Sequence, residues 1–349
     1  MSTTEGRPGI TVLHALAKPD GKTRYVDHMI DSAPGELTVK TFSWPEAMFG
    51  RYDVFHIHWP ENLIRTRTRW AVVPKRLLFV ALMARLRLSR RAVVRTIHNV
   101  TPHESGGPVE DGLLRMCDGM TDGFVRLNRT TEAPEREYVA TIPHGHYKDR
   151  PEYRRARTSP PAENRLLYFG LIRPYKGVDD LVDAFRTLDR PDTTLRVVGK
   201  PQDPDLARKV REAGERHESI SCRLEFVPDS DLGREIAQAR LVVLPYREMH
   251  NSGSAILALS MARPVVVPAT PVNLELRDEV GPGWVYLYDS PALDAPTLQS
   301  VLEQVSADDA IRPAEPDLSG RDWSAVGEGH YAFYRSVLAP GPAPDSSLR

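Results

Sequence analysis

The stretch that decides the fold is FGLIRPYKGVDDLVDAF, residues 169–185. An apolar run ends in a glycine, a short polar loop follows, and the acidic pair Asp179–Asp180 opens an apolar pattern of helical period. Arg173 and Lys176 lie in the loop, three residues apart, just before a second glycine. Two cations beside the amides of a helix N-terminus suit a diphosphate, because both stabilise oxygens that gain charge when a phosphate leaves. The stretch predicts a strand–loop–helix unit that binds phosphate, with plain surface charge as the alternative.

The same alternation of short apolar runs and helical periods extends outward on both sides. In the second half, strands are predicted at 166–170, 194–199, 222–227, 240–246, 264–268 and 284–288, with helices near 178–188, 204–216, 231–239 and from about 253. In the first half, strands are predicted at 10–16, 37–42, 53–58, 92–97 and 123–127, with helices at 77–84 and 111–120. Such alternation predicts parallel sheets of the doubly wound α/β class. We expect two Rossmann-like domains facing one another across a cleft.

The length of the chain supports two domains. Its 349 residues exceed the ~250–300 at which a single hydrophobic core stops growing. A polar segment rich in proline and arginine, KDRPEYRRARTSPPAEN, is predicted to be an interdomain linker. The predicted boundaries are an N-terminal domain at 1–147, the linker at 148–164, a C-terminal domain at 165–320, a terminal helix at 321–338 and a disordered tail at 339–349.

Composition excludes several classes of protein. With 41% hydrophobic and 27% charged residues the chain is neither disordered nor fibrous, and a net charge of −1 gives no general attraction to nucleic acid. Two cysteines are too few for a disulfide framework or a zinc cluster. The first residues are polar, and no run approaches the ~18 apolar residues of a membrane span. We therefore expect a cytoplasmic protein, peripheral to a membrane at most.

A second candidate anion site follows the strand predicted at 240–246. Asn251, Ser252, Gly253 and Ser254 open a helix there, and such small residues leave backbone amides and hydroxyls pointing outward. Ordinary helix capping by asparagine or serine is the alternative.

Taken in order, these motifs and the final RDWSAVGEGHYAFYRSVL resemble the GT-B-fold glycosyltransferases, in particular family 4. The resemblance implies that a sugar moves from a UDP- or GDP-linked donor to a hydroxyl acceptor such as a glycan, a lipid-linked saccharide or a natural product. It implies that Arg173 and Lys176 hold the donor diphosphate, and that Gly199 lies where the nucleotide approaches the backbone. It also implies that the terminal helix crosses back to the N-terminal, acceptor-side domain.

The sequence departs from the family at two acidic positions. Family 4 usually carries two glutamates eight positions apart, and the alignment places Asn251 and Leu259 there. Leucine cannot accept a hydrogen bond from ribose, so Glu248 becomes the candidate for that contact. The missing carboxylates put the retaining mechanism of family 4 in question.

In the first half, two predicted strands end in histidine-bearing segments, HIHWPEN at 56–62 and TIHNVTPHES at 96–105. The resemblance implies that His98 contacts the donor sugar. His58 is a second candidate, whereas His56 is expected to be structural. Glu61 is the preferred candidate for the base that takes the acceptor proton, with a solvated carboxylate as the alternative.

Two further features concern partners. The loop Asp20-Gly21-Lys22 is a candidate contact for phosphate or acceptor. Region 65–95 contains ten basic and no acidic residues around an apolar helix. This predicts either contact with an anionic membrane or a lipid-phosphate acceptor, or a core-packed crossover helix with a solvated end.

We expect neither a metal nor a cofactor, because cationic side chains replace the metal in the resemblance. Two other functions stay open: a nucleotide-sugar epimerase of the same fold, and a non-catalytic accessory subunit that binds the donor.

Overall fold

The computed structural model describes residues 9–18, 24–66, 68–98, 107–157, 161–162, 164–289 and 292–339. The chain divides into two compact units. Unit 1 is Met1–Gly145 together with Arg321–Arg349, and unit 2 is His146–Gly320. Each unit contains one parallel six-stranded sheet, which confirms the predicted doubly wound α/β class.

Unit 1 has the strand order β2-β1-β3-β4-β5-β6. Its strands are β1 (Ile10–His14), β2 (Leu37–Thr41), β3 (Val54–Ile57), β4 (Ala92–Ile97), β5 (Gly123–Arg126) and β6 (Tyr138–Thr141). Its helices are α1 (Arg24–Asp31), α2 (Trp44–Phe49), α3 (Glu61–Ile64), α4 (Val72–Leu88), α5 (Pro108–Gly119) and α13 (Trp323–Leu338). The sequence missed β6, because this edge strand alternates half-buried with exposed residues and has no apolar run.

Unit 2 has the strand order β12-β11-β10-β7-β8-β9. Its strands are β7 (Arg165–Phe169), β8 (Thr194–Val198), β9 (Ile220–Arg223), β10 (Leu241–Val243), β11 (Val265–Pro268) and β12 (Val285–Tyr288). Its helices are α6 (Pro151–Ala156), α7 (Val178–Arg186), α8 (Pro204–Arg216), α9 (Asp229–Ala237), α10 (Gly253–Ser260), α11 (Pro271–Val280) and α12 (Ala295–Asp308). Short 3₁₀ helices lie at Arg69–Ala71, Pro174–Lys176 and Ser319–Arg321.

The segment 148–164, predicted to be an interdomain linker, contains helix α6. Tyr153 and Ala156 of this helix are buried. A Cβ on Gly233 of α9 would lie 3.2 Å from the Ala156 Cβ and 3.3 Å from the Tyr153 ring. Two buried residues therefore hold α6 to unit 2. A pair of apolar residues among prolines and arginines is too short a pattern to predict a helix.

Helix α13 packs in the core of unit 1, as the resemblance implies. Trp323, Tyr331 and Tyr334 are buried with Val12 and Val94 of the sheet. In the sequence, this helix follows the whole of unit 2, which ends at residue 320. Within the described residues, no helix combines the length and the apolar character needed to cross a membrane.

Candidate active site

In unit 2, two loops leave neighbouring strands at the point where the strand order reverses. The chain runs from β7 towards β8 and β9 on one side, and from β10 towards β11 and β12 on the other. Ligands of open α/β sheets bind at such a reversal, outside the carboxyl ends of the strands. The loop after β7 carries Arg173 and Lys176, and the loop after β10 leads into α10. The topology therefore brings the two predicted phosphate motifs to one place.

Gly170, which follows β7, is where these two motifs meet. Its φ is +122°, a conformation that favours glycine. A Cβ built on it would lie 3.4 Å from Ser254 Oγ and 3.7 Å from Lys176 Nζ. The lysine ammonium and the serine hydroxyl thus converge above one glycine, where the missing side chain leaves room for a ligand oxygen.

Lys176 is oriented by a tyrosine that the sequence reasoning missed. Its Nζ donates to Tyr246 Oη at 2.9 Å and lies 4.3 Å from the centroid of the same ring. Tyr246 is buried and follows β10. A cation held on an aromatic ring keeps its charge in a fixed position. The sequence offers one indication of this role: Tyr246 follows the same strand, β10, as the predicted anion site at the start of α10.

Arg173 and Gly199 both contact the β8 side of this site. Arg173 Nε donates to Gln202 Oε1 at 2.6 Å, in the loop after β8. Gly199 has φ +152°, and a Cβ on it would lie only 1.8 Å from the carbonyl oxygen of Gly170. Any other residue at 199 would collide with the turn that presents Lys176. The structure therefore anchors Arg173 towards β8 and Lys176 towards α10 and β10.

The start of α10 combines capping with a polar surface. Ser252 Oγ accepts from the backbone nitrogen of Ala255 at 3.3 Å, so the capping interpretation holds for this hydroxyl. Helix amides at Gly253 and Ser254 still give the end of the helix a partial positive charge. Asn251 is half-buried just before the cap, and Glu248 is exposed in the preceding loop.

Leu259, the position of the second family glutamate, is fully buried in the core of unit 2. Its side chain packs inside the fold, so a ribose contact at this position is absent.

Arg247 fixes the loop after β10 to helix α7. Its Nη2 donates to Asp180 Oδ1 at 2.7 Å and to both carboxylate oxygens of Asp179 at 3.0 Å. These two carboxylates raise the pKa of Arg247 above its ordinary value. The sequence explained the acidic pair only as a complement to the helix dipole, so this bridge is a finding of the structure.

In unit 1, a row of histidines occupies the carboxyl ends of the central strands. His14 ends β1 and pairs with His56 of β3. His58 follows β3, and His98 follows β4. Because side chains alternate along a strand, His56 and His58 project from the same face. In this sheet the strand order reverses between β1 and β3. The carboxyl ends of these two strands are therefore the expected ligand-binding edge.

These histidines bond directly to one another. His58 Nε2 lies 2.8 Å from His14 Nδ1, and His58 Nδ1 lies 3.1 Å from His98 Nε2. His58 is buried, and His98 is half-buried beside the ring of Trp59, with 4.3 Å between centroids. His58 is therefore bonded on both sides, to His14 and to His98, and its predicted catalytic role stays a prediction.

Burial keeps this cluster uncharged. Desolvation lowers the pKa of His14 and of His98 to about 3. It also lowers the pKa of His56 and His58 well below their ordinary value, with neighbouring histidines adding to the effect. Neutral imidazoles act as hydrogen-bonding groups with one donor and one acceptor each.

Glu61 begins helix α3 and is half-buried. Burial lowers the pKa of Arg95, and the charges of Cys117 and Glu61 oppose this shift. Asp20, Gly21 and Lys22 lie outside the described residues, and their predicted role stays a prediction.

Histidine is a common metal ligand, so a group of three neighbouring histidines in unit 1 is a candidate metal site. His14, His56 and His58 offer nitrogen atoms within 4.8 Å of one another. Two nitrogens on a tetrahedral ion with bonds of 2.0–2.1 Å lie about 3.3 Å apart. The 2.8 Å separation between His14 Nδ1 and His58 Nε2 is shorter and fits a hydrogen bond.

Solved structures share this architecture. The Anabaena protein HepE in complex with UDP-glucose matches with a TM-score of 0.61 at 14% identity, covering 94% of this chain and 98% of that one. A glycosyltransferase from Rickettsia africae matches with a TM-score of 0.64 at 11% identity, covering 95% and 99%. At these identities the likeness shows the fold.

Sequence similarity decides the family. Residues 163–300 match the family described as "Glycosyl transferases group 1". The chain is 44% identical to a GDP-mannose:glycolipid 4-beta-D-mannosyltransferase of Xanthomonas campestris pv. campestris over 343 residues, which cover 98% of this chain and 96% of the relative. The chain is a GT-B glycosyltransferase.

The predicted reaction class is therefore confirmed: this glycosyltransferase moves a sugar from a nucleotide-sugar donor. Its match to the group 1 family spans the loops after β7 and β10, so the family resemblance lies on the same segments that converge at Gly170. The individual roles predicted for the site residues of this glycosyltransferase stay predictions.

Proposed function

We propose that this glycosyltransferase transfers mannose from GDP-mannose to a glycolipid and forms a β-linkage at position 4 of the acceptor sugar. The observation that carries the proposal is the 44% identity to the Xanthomonas enzyme along nearly the whole of both chains. A relationship of this extent favours transfer over the epimerase and accessory-subunit alternatives.

The donor diphosphate would bind above Gly170. Lys176 Nζ and Ser254 Oγ lie near that point, and the first amides of α10 and Arg173 would complete the contacts to the diphosphate. Fixed cations and amides stabilise the charge that develops on the leaving diphosphate. We therefore propose that neither a metal nor a cofactor is required.

Formation of a β-mannoside from an α-linked nucleotide sugar inverts the anomeric carbon. An inverting transfer needs a group that takes the proton of the acceptor hydroxyl, and Glu61 is our candidate for it. His98, neutral because of its low pKa, would bond a sugar hydroxyl. The buried leucine at 259 accords with a mechanism that does not use the second family glutamate.

The test is a comparison of donors with the purified enzyme. GDP-mannose is incubated with synthetic glycolipids in vesicles, and the product linkage is read from the anomeric proton by NMR. We expect a β-mannoside from GDP-mannose and little transfer from UDP-glucose or UDP-galactose. Transfer from a UDP-sugar alone would overturn the donor assignment.

An acceptor-free reaction separates the alternatives. Conversion of GDP-mannose to another nucleotide sugar would support an epimerase. Donor binding, seen as a raised melting temperature, without turnover on any glycolipid would support an accessory subunit.

We further propose that helix α4 places the enzyme on an anionic membrane, where a glycolipid acceptor resides. One side of the helix packs into the core of unit 1 through Phe79, Leu82 and Leu86, which agrees with a core-packed crossover helix on that side. The opposite side exposes Val73 and Leu77 by 64% and 65%.

The exposed apolar stripe continues at both ends of α4 and is bordered by positive charge. Trp70 is 82% exposed before the helix, and Leu88 is 85% exposed at its end. Arg87 and Arg90 are exposed beside Leu88. Apolar side chains that insert among acyl chains, flanked by arginines that meet anionic headgroups, form a membrane-binding surface.

Other basic residues of the region are already engaged within the fold. Arg65 and Arg76 pair with the buried Glu110 at 2.8 and 3.9 Å. Arg85 Nη1 donates to Tyr52 Oη at 2.6 Å. Among the described side chains, the exposed positive charge beside the apolar stripe therefore lies at the carboxyl end of α4.

Flotation with vesicles tests this surface. The wild-type enzyme should float with phosphatidylglycerol vesicles and less with phosphatidylcholine vesicles. The double variant Val73→Glu/Leu77→Glu should lose at least about tenfold in vesicle affinity, since burying even one such side chain contributes ~1.5–3 kcal/mol.

The control is Ile311→Glu, which changes a 74% exposed apolar residue of unit 2. It should float as the wild type does. Equal flotation of the α4 variant, or no flotation of the wild type, would contradict the proposal.

A further inference from the structure

The loop that presents Lys176, residues 174–177, runs along the segment that follows β10. We refer to it as the lysine loop. A Cβ on Gly177 would lie 2.0 Å from the carbonyl oxygen of Pro245, so the two stretches of backbone are in close contact. The next residue, Tyr246, accepts a hydrogen bond from Lys176 Nζ at 2.9 Å. Two consecutive residues therefore contact the end of the lysine loop.

Arg247, the third residue of this segment, bonds to the lysine loop on the amino side of Lys176. Its backbone nitrogen donates to the carbonyl oxygen of Tyr175 at 2.9 Å. Its Nη1 donates to the carbonyl oxygen of Pro174 at 2.6 Å. Both acceptors belong to the main chain, so these bonds constrain the course of the loop itself.

The same guanidinium bonds to helix α7 on the carboxyl side of Lys176. Arg247 Nε donates to Asp180 Oδ2 at 2.9 Å, and Nη2 donates to Asp180 Oδ1 at 2.7 Å. Nη2 also donates to both carboxylate oxygens of Asp179 at 3.0 Å. Paired bonds between a guanidinium and a carboxylate are strong and fix the orientation of both groups. One side chain therefore joins the chain before the lysine to the chain after it.

Compensation of charge alone would be the simpler role for Arg247. Asp179 and Asp180 follow the lysine loop closely, and two unpaired carboxylates there would repel a diphosphate. The bond from Nη1 to the carbonyl oxygen of Pro174 needs a different explanation, because this acceptor is uncharged. It ties the lysine loop to the two carboxylates through one rigid, planar group.

We propose that Arg247 is a positioning residue that clamps the lysine loop and so keeps Lys176 against Tyr246. The consequence for the donor rests on the proposed function, in which Lys176 binds the diphosphate. A loop that is already held in its bound position loses little conformational entropy when the ligand binds. The clamp therefore raises the affinity for a nucleoside diphosphate.

Trypsin tests the clamp without any ligand. It cuts after lysine, and in the folded protein the bond between Lys176 and Gly177 is cut only as often as the lysine loop opens. Arg247→Gln should speed cleavage at this bond at least about tenfold, since it removes several charge-assisted hydrogen bonds. Peptide mass spectrometry identifies the bond that is cut. Cleavage elsewhere in unit 2 should keep its wild-type rate, which separates a released loop from a destabilised protein.

A second variant releases the clamp from its other side. Asp179→Asn/Asp180→Asn removes the carboxylates that hold the guanidinium, and it should also speed cleavage after Lys176. This variant decides the question if Arg247→Gln does not fold.

Arg247→Lys separates the clamp from charge compensation. Lysine keeps the positive charge, but one ammonium cannot replace the planar fork that reaches a carbonyl and two carboxylates together. Cleavage after Lys176 should therefore stay near the rate of Arg247→Gln. The matched control is Arg277→Gln, which breaks an exposed ion pair with Asp278 of 3.2 Å in the same unit and should behave as the wild type does.

Calorimetric titration with GDP and with UDP measures the consequence for the donor. For the nucleotide that binds the wild type, Arg247→Gln should weaken binding about tenfold. In a Lys176→Ala background the same substitution should weaken binding by less than about twofold, because the clamp acts through Lys176.

Wild-type cleavage after Lys176 in a folded Arg247→Gln protein, or full rescue by Arg247→Lys, would overturn the clamp. An equal loss of nucleotide affinity with and without Lys176 would overturn its action through that residue. Binding of UDP in preference to GDP would instead overturn the donor assignment of the proposed function, and it would leave the trypsin result unaffected.

Discussion

At the scale of single residues, Lys176 is held in place by one tyrosine. Its ammonium is held on the ring and hydroxyl of Tyr246, beside Ser254. A charge held in this way needs no reorganisation when the diphosphate leaves, which makes it effective in a transition state.

Removal of either predicted diphosphate cation should slow transfer. We expect Lys176→Ala and Arg173→Ala each to lower kcat with GDP-mannose on the order of 10²-fold, since each removes a fixed charge from the leaving group. Steady-state kinetics with a glycolipid acceptor measures the effect.

Lys209→Ala is the matched control. Lys209 pairs with Asp183 at 2.7 Å on an exposed surface of unit 2, and its loss should leave kcat unchanged. Near-normal rates in both Lys176→Ala and Arg173→Ala would refute the diphosphate assignment.

In two contacts, between Lys176 and Tyr246 and between His56 and Tyr334, the sequence analysis singled out the first residue and missed its tyrosine partner. Lys176 and Ser254 stand out because each lies in a local motif between a strand and a helix. Tyr246 lies 70 residues from Lys176, and Tyr334 lies 278 residues from His56. No local pattern marks such partners, because a tyrosine in an apolar run is an ordinary core residue until the fold brings a polar group to its hydroxyl.

At the scale of elements, helix α13 fits unit 1 through glycines on both sides of the contact. A Cβ on Gly327 of the helix would lie 2.0 Å from the carbonyl oxygen of Ser32. A Cβ on Gly145 would lie 2.3 Å from the Trp323 ring. The close approach lets Tyr334 reach the histidines of the sheet.

Gly327→Ala should therefore destabilise unit 1. We expect a loss of about 1–3 kcal/mol in unfolding free energy, because the new methyl group meets backbone that can give way only by moving the helix. Urea unfolding followed by circular dichroism measures it.

Gly329→Ala on the same helix is the control, since its Cβ would meet only Ile142 at an ordinary 3.7 Å. There the helix preference of alanine should leave stability unchanged or raise it by up to ~1 kcal/mol. An equal effect of the two substitutions would show that the contact with Ser32 is unimportant.

Strongly patterned elements followed from the sequence, and weakly patterned ones did not. Helix α8 was predicted with its exact bounds, because an acidic cap and a proline begin it and its apolar period is regular. Strand β9 begins two residues earlier than predicted and ends at Arg223, since the apolar Phe226 in the predicted run is in fact 59% exposed. Short apolar runs do not reveal whether tertiary packing will bury them.

At the scale of the whole molecule, the buried histidines make stability depend on pH. Burial lowers the pKa of His14 and His98 to about 3 and that of His330 to about 4, against 6.5 when unfolded. Between these values the unfolded chain binds more protons than the folded one. The stabilising contribution is thus complete above about pH 6.5 and is lost as the pH falls towards 4.

We expect the free energy of unfolding to decrease below pH 6.5 by about 1.4 kcal/mol per pH unit for each such histidine. Urea unfolding from pH 7.5 to pH 4.5 measures this slope. His330→Leu should reduce the slope by the share of one histidine, because it removes one group whose pKa falls on folding. Within the described residues, the Nε2 of His330 has no hydrogen-bond partner that this change would remove. A slope that is the same in both proteins would contradict the assignment.

The overall architecture was predictable because it depends only on the alternation of strands and helices along the sequence. Two parallel sheets follow from repeated strand and helix segments, and the carboxyl ends of their strands locate the ligand-binding loops. Neither the histidine cluster nor the arginine bridge from Arg247 could be derived this way, since both depend on which side chains meet after the sheets form.

The return of α13 to unit 1 has a consequence for biosynthesis. The sheet of unit 1 emerges from the ribosome first, yet the helix that completes its core is encoded after the whole of unit 2. At ~5–20 residues per second, translation of the intervening segment takes on the order of ten seconds or more. For that time the nascent sheet lacks the helix that covers its apolar face, so the core of unit 1 is completed only after unit 2 has been translated.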